Sequence, residues 1–148
     1  MSDLISNKKA YFDYEILETF EAGVVLFGYE VKALRANKAS LNGAYVIIRG
    51  GEAYLVNASI SPYQVPNTPK KYEPDRARKL LLRKKQLALL EQSSEKQGLT
   101  IVALKWYNDK RHLKLAIGIA RGKKKADKRE SLKERDSKRD IDRILKSQ

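Results

Sequence analysis

Two hairpins, at 45–56 and 99–120, a confinement of helical spacing to short stretches, and the near disappearance of apolar side chains after Gly122 predict a mainly β chain of the α+β kind. The expected body is a small closed antiparallel β-barrel of the oligonucleotide-binding type, with about six strands and two or three peripheral helices. Closure suits short antiparallel strands because it removes exposed edges. A split βαβ sandwich is the alternative architecture. The apolar-poor end cannot bury a core of its own, so a tail disordered when free is expected to follow the body.

Asn7, Lys8, Lys9 and Ala10 lead into Phe12, Tyr14, Ile16 and Phe20, which alternate with Asp13, Glu15, Leu17 and Thr19. This period of two predicts a first strand. A break or bend is expected near Glu21-Ala22-Gly23, with Val24–Phe27 resuming as a buried strand, so that the two segments form either one long bent strand or a close pair. From Tyr29 to Lys38, Val31 and Leu34 take helical spacing among Glu30, Lys32, Arg35 and Lys38, a short helix. Asn42-Gly43 marks a turn. Tyr45–Ile48 and Ala53–Val56 flank Arg49-Gly50-Gly51-Glu52, and Gly-Gly permits the positive φ angles of a type I′ hairpin.

Prolines 62, 66, 69 and 74 predict an extended loop, since proline removes a donor and fixes φ. Asp75 then caps an expected helix from Arg76 onward, with Leu80, Leu81, Leu82, Leu87, Leu89 and Leu90 on its apolar side and Arg76, Arg78, Lys79, Arg83, Lys84 and Lys85 on its basic side; Gly98 ends the region. Three successive leucines cannot all face one side of a helix, so one points away from the core. Leu99–Tyr107 and Leu113–Ala120 form the second hairpin. In the latter, Leu113, Leu115, Ile117 and Ile119 oppose Lys114, Ala116, Gly118 and Ala120.

The chain of 148 residues allows one body of about 120 residues, long enough for an ordinary core, plus an appendage; the division expected is 1–121 and 122–148. There is no cysteine, hence no disulfide framework and no thiolate metal site. Met1-Ser2-Asp3-Leu4 lacks a signal-peptide pattern, and a cytoplasmic protein is expected. The apolar run Ala22–Phe27 falls far short of the roughly 18 residues of a membrane span.

The net charge of +13 is unevenly placed. Residues 1–69 carry six basic and seven acidic side chains, 70–85 eight and two, and 121–148 twelve and six. Basic blocks attract a polyanion because neutralised phosphates release condensed counterions, so nucleic acid is the leading partner. Neither block has the broad apolar face and aromatic anchors of a membrane-surface segment. A solvated, solubilising face is the plainer reading of such blocks.

Gly122-Lys123-Lys124 lacks the earlier glycine and the following Ser or Thr of a phosphate-cradling loop. His112 is the single histidine and falls in a predicted turn, so no His-rich metal cluster or Cys-His nucleophile pair exists. Neither catalysis nor a cofactor or metal is expected. Tyr11 and Phe12 stand beside Asn7, Lys8 and Lys9, which would place a base-stacking face next to backbone-binding charge; core packing is the alternative for these and the other aromatics.

Asn7-Lys8-Lys9-Ala10, Tyr14, Glu21-Ala22-Gly23, Gly28-Tyr29-Glu30-Val31-Lys32-Ala33-Leu34-Arg35, Gly51-Glu52-Ala53, Arg76-Ala77-Arg78-Lys79-Leu80-Leu81-Leu82 and Gly122-Lys123-Lys124 with Asp127-Lys128-Arg129 resemble, in order and spacing, the small protein B family (SmpB) of bacterial transfer-messenger-RNA (SsrA)-binding proteins. The resemblance covers nearly the whole chain. It implies a non-catalytic, monomeric RNA-binding protein acting in trans-translation, which rescues stalled ribosomes and tags incomplete peptides. The implied partners are the tRNA-like domain of transfer-messenger RNA, the small-subunit decoding site and message channel of the ribosome, and, indirectly through the charged RNA, elongation factor Tu. Asn7, Lys8, Lys9, Glu21, Gly23, Arg78, Lys79 and Leu81 are the implied RNA-binding residues. Gly122, Lys123, Lys124, Asp127, Lys128, Arg129, Ile144 and Leu145 are the implied decoding-site tail. Asn37 and Asn42-Gly43-Ala44 depart from the family pattern in turns. A general RNA-binding or structural ribosomal protein with the same barrel is the alternative function.

Glu21 makes physical sense in an RNA-binding face if it accepts hydrogen bonds from a base edge, since phosphates repel it. In the tail, Asp127 with Glu130 resembles a capping box, and Glu134–Lys138 and Asp142–Lys146 are pairs four apart worth ~0.3 kcal/mol each. These cannot hold a helix alone. Ile141, Ile144 and Leu145 form one apolar patch, so the tail is expected to become helical on ribosome binding.

Overall fold

A computed structural model of the chain describes residues 2–62, 66 and 68–123. Six strands close into a ring: β2 (Tyr14–Val24), β9 (His112–Gly122), β8 (Leu99–Asp109), β4 (Tyr45–Arg49), β5 (Glu52–Val56) and β7 (Arg78–Leu81). β1 (Ser2–Ser6) adds to β8, and β3 (Ala39–Ser40) pairs with β6 (Ser59–Ile60) apart from the ring. Every pairing among the described residues is antiparallel, and the β8–β9 pairing that closes the ring excludes the open sheet of the split βαβ sandwich. The ring is not a regular barrel. The β8–β9 and β2–β9 ladders are long, whereas β4 meets β8 at Tyr45↔Val102, and β7 meets β2 only at Gly23↔Leu81 and Val24↔Leu80.

Alternation fills the ring. Phe20, Ala22, Leu55, Leu80, Ile101, Ala103, Trp106, Leu115, Ile117 and Ile119 point into the main core. The 45–56 hairpin is as expected, with φ of 60° at Gly50 and 74° at Gly51. The short helix is α2 (Gly28–Arg35).

Three expectations are corrected. The segment after Asn7 does not lead straight into a strand: Lys8–Asp13 is helix α1, capped by the Asn7 side chain, which accepts from the Ala10 N–H. A six-residue helix is not stable alone; α1 persists because Ala10 packs with Val102, Leu104 and Ala120 in a second small core on the outside of the sheet. Of the two readings near Gly23 the continuous strand holds, since β2 runs to Val24 with its bulge at Leu17, but Val25–Phe27 are not a buried strand: they lie beyond β2, with Val25 and Phe27 half exposed. The stretch from Arg76 is not a helix. Arg78–Leu81 is strand β7, bound by β5 and β2, and helix α3 (Lys84–Ser94) begins only after Arg83. Asp75 therefore caps no helix. In β7 the alternation buries Arg78 and Leu80 and exposes Lys79 and Leu81; the leucine that points outward does so by strand geometry.

The expected tail after Gly122 falls, from residue 124 on, outside the described residues. Among the described residues no helix is long and apolar enough to cross a membrane.

Candidate nucleic-acid interface

The register places Ser6, Lys105, Ala116 and Glu21 in one row across β1, β8, β9 and β2. Three strand spacings separate its ends, about 14 Å. On the outside of this sheet, one half is covered by α1 and the other is bare. The bare half carries Glu21, Lys105, Tyr107 and Lys114, with Lys8 at the start of α1 beside it.

Tyr107 is buried, and burial first, and then the neighbouring Glu21 carboxylate, push its pKa up to about 12. A neutral phenol thus stands beside an exposed carboxylate. The ammonium of Lys105 lies 5.6 Å from the Tyr107 ring centroid and 3.2 Å from the Asp3 carboxylate. A carboxylate fixed among cations can accept from base amino or imino groups while the lysines meet phosphates.

Glu21 adjoins a cleft of about 310 Å³ lined by Gly23, Leu81, Arg35, Arg111, His112 and Lys114, among others. Gly23 lies opposite Leu81, and a Cβ there would stand 3.3 Å from the Leu81 Cβ, so glycine lets the strands close. Leu81 is 54% exposed, the largest exposure among the large apolar side chains of the described residues. Lys79 is also exposed and stands 3.7 Å from Glu52.

Two implied RNA-binding residues are not available at this surface. Asn7 is buried; its amide donates to the carbonyls of Leu41 and Ala103 while its oxygen caps α1. Its part is to seat α1 and with it Lys8 and Lys9, both exposed. Arg78 is fully buried. Its guanidinium donates to Glu30, Ala58, Arg76, Tyr72 and Pro74, which occupies the whole fork. The basic side of an expected helix concealed this, because strand alternation turns Arg78 inward.

Sequence reasoning missed Lys105, Lys114 and Arg111 as site residues, and reached Tyr107 only as one of several aromatics able either to stack on bases or to pack in the core. Lys114 is legible as a cation on the outward side of β9; Lys105 and Tyr107 join the face only through the β8 bulge between Ala103 and Lys105. Of the implied tail, Gly122 pairs with Tyr14, and Lys123 donates from its backbone to Asp13 and from its ammonium to Tyr11. Lys124, Asp127, Lys128, Arg129, Ile144 and Leu145 lie outside the described residues. Tyr14 and Gly23 are nine residues apart on β2, so the root of the tail and the Leu81 cleft are about 30 Å apart along the strand. Tyr11 is 42% exposed on α1 and His112 is exposed at the hairpin end.

The family profile described as "SmpB protein" matches residues 4–147. The chain belongs to the SmpB family. Similar relatives include the SsrA-binding protein of Thermosynechococcus vestitus, 47% identical over 97% of this chain and 94% of the relative, and that of Pelobacter propionicus, 49% identical over the same shares. A solved structure described as "tmRNA-SmpB: a journey to the center of the bacterial ribosome" is 42% identical and superposes with a TM-score of 0.70 over 88% of this chain and 95% of that one. For an SmpB-family member, the bare half of the sheet and the Leu81 cleft are the surface on which Glu21, Gly23, Leu81 and Lys79 come together. No group of three potential metal ligands occurs among the described residues.

Proposed function

We propose that the chain binds the tRNA-like domain of transfer-messenger RNA and delivers it to stalled ribosomes for trans-translation, standing in for an anticodon stem. The body, residues 1–121, grips the RNA, and the tail, 122–148, enters the decoding site and message channel. Elongation factor Tu comes into the assembly through the charged RNA. The observation that carries the reading is Glu21: an exposed carboxylate beside Tyr107, on a face otherwise supplied with lysines and near an exposed Leu81. Cations alone would bind any polyanion; a carboxylate in their midst selects for base edges. The roughly 30 Å between the Leu81 cleft and the tail root supports one end serving the RNA and the other the ribosome.

Competition tests this. Binding to the tRNA-like RNA should survive an excess of unrelated duplex RNA, and loss of all preference would favour a general RNA-binding or structural ribosomal role. Removing residues 124–148 should leave fold and RNA complex in place and abolish peptide tagging on ribosomes stalled at a message end. Tagging by the shortened chain would overturn the two-part reading.

A further inference from the structure

The β2–β7 seam continues past Gly23 and Leu81 to a second exposed cluster. Val25 donates to the Lys79 carbonyl, and the Arg76 guanidinium donates to the Val25 carbonyl; two residues on stands Phe27. Leu81, Val25 and Phe27 are 54%, 48% and 50% exposed, and Lys79 lies among them. Three large apolar side chains thus follow one seam in the company of cations. From Gly23 to Phe27 the extended chain spans about 13 Å.

At its far end the ring of Phe27 stacks on Tyr29 at 5.3 Å with 25° between planes, and Tyr29 meets Tyr72 at 5.1 Å. The Arg76 guanidinium lies 4.4 Å from the Phe27 centroid. These side chains, with Lys71 and Glu73, line a cleft of about 270 Å³, near the lower limit of small-ligand pockets. The frame is rigid from beneath: the buried Glu30 carboxylate holds both Arg76 and the Tyr72 hydroxyl. Arg76 is therefore offered as a charge-neutralised plane beside the rings, while Lys71 keeps its charge toward solvent.

Aromatic and guanidinium planes beside an exposed lysine suit one unpaired base with its phosphate. A carboxylate at the edge, Glu73, can accept from a base amino group. We propose that the Phe27–Tyr29–Tyr72 cleft is a stacking site for one unpaired nucleotide of RNA lying along the β2–β7 seam. The inference rests on the RNA-binding reading of that seam and adds a site to it.

The test uses the full chain, a single-stranded adenylate hexamer and the tRNA-like RNA. In a titration followed by backbone amide NMR, the hexamer should shift the signals of Phe27, Tyr29, Lys71 and Arg76. Phe27→Ala should weaken hexamer binding about 5- to 150-fold, the range for one stacked base. Phe27→Tyr should restore it and Phe27→Leu should not, since only the former keeps a π face. Because Phe27 is half exposed, the melting temperature of each variant should match that of the parent. No hexamer binding, or Leu replacing Phe without loss, overturns the proposal; the second result would point to an apolar protein contact. If the parent binds the tRNA-like RNA selectively while Phe27→Ala changes neither probe, the stacking site fails and the wider function stands. If hexamer binding depends on Phe27 but selectivity for the tRNA-like RNA is absent, the wider function fails and the site stands.

Discussion

Two clusters in this protein are made of the same chemistry: Glu30 with Tyr72, Arg76 and Arg78, and Glu21 with Tyr107, Lys105 and Lys114. Each sets a glutamate, a tyrosine and two cations together, the second with Asp3 and Asp109 also close by, and in each the tyrosine is raised to about 12, by burial first and the neighbouring glutamate next. Their surroundings differ. Glu30 is fully buried; burial opposes its ionisation most, yet hydrogen bonds from Arg76, the Phe27 N–H and Arg78 outweigh that and hold its pKa below the usual value. It binds α2, β7 and the loop at Tyr72 into one piece. Glu21 is exposed beside Tyr107, so its carboxylate can accept from a partner. Burial converts a polar cluster into a clamp, and exposure leaves it able to recognise something else.

The contrast is broken most directly at Glu30. Glu30→Ala leaves Arg78 buried without its counter-charge and should cost about 3–5 kcal/mol, read as a large fall in urea midpoint; a loss below about 1 kcal/mol would remove the clamp. Because the folded pKa of Glu30 is depressed, its contribution is present above the ordinary value of 4.5 and is lost as pH falls through the lower folded value. Glu30→Gln should accordingly flatten the acid limb of stability against pH.

Glu21→Ala should do the opposite: stability within about 0.5 kcal/mol of the parent, but selectivity for the tRNA-like RNA reduced by about 1–3 kcal/mol. Equal weakening toward unrelated RNA would deny Glu21 its discriminating part. Lys8→Ala sharpens the division further, since it should weaken binding to all RNAs and reduce the salt slope by about 1, whereas Glu21→Ala should leave that slope alone.

The smallest effect is on the alkaline limb. Tyr72 and Tyr107 rise from 10.0 to about 12, so the folded state keeps their protons longer than the unfolded one. Their stabilisation is complete below pH 10 and is lost as pH rises through 12. Tyr72→Phe and Tyr107→Phe should each flatten denaturation curves in that window, with only Tyr107→Phe also altering RNA selectivity.

Local periodicity determined much of this molecule. The Gly50-Gly51 hairpin, the β8–β9 hairpin and the inward side of β9 follow from turn chemistry and alternation that a few neighbouring residues specify. Charge placement pointed to nucleic acid, and the motif order pointed to the family. Only tertiary structure decided the state of Arg76–Leu82, because a short run of leucines and arginines satisfies helix and strand alike until β2 and β5 offer edges to pair with. That choice reversed Arg78, turning an expected surface cation into the buried partner of Glu30. It also decided α1, whose six residues depend on a sheet surface formed by strands nearly a hundred positions away. The site depends on the same long-range register: Ser6, Lys105, Ala116 and Glu21 share a row because non-local strand pairing, which no local pattern encodes, brings them there.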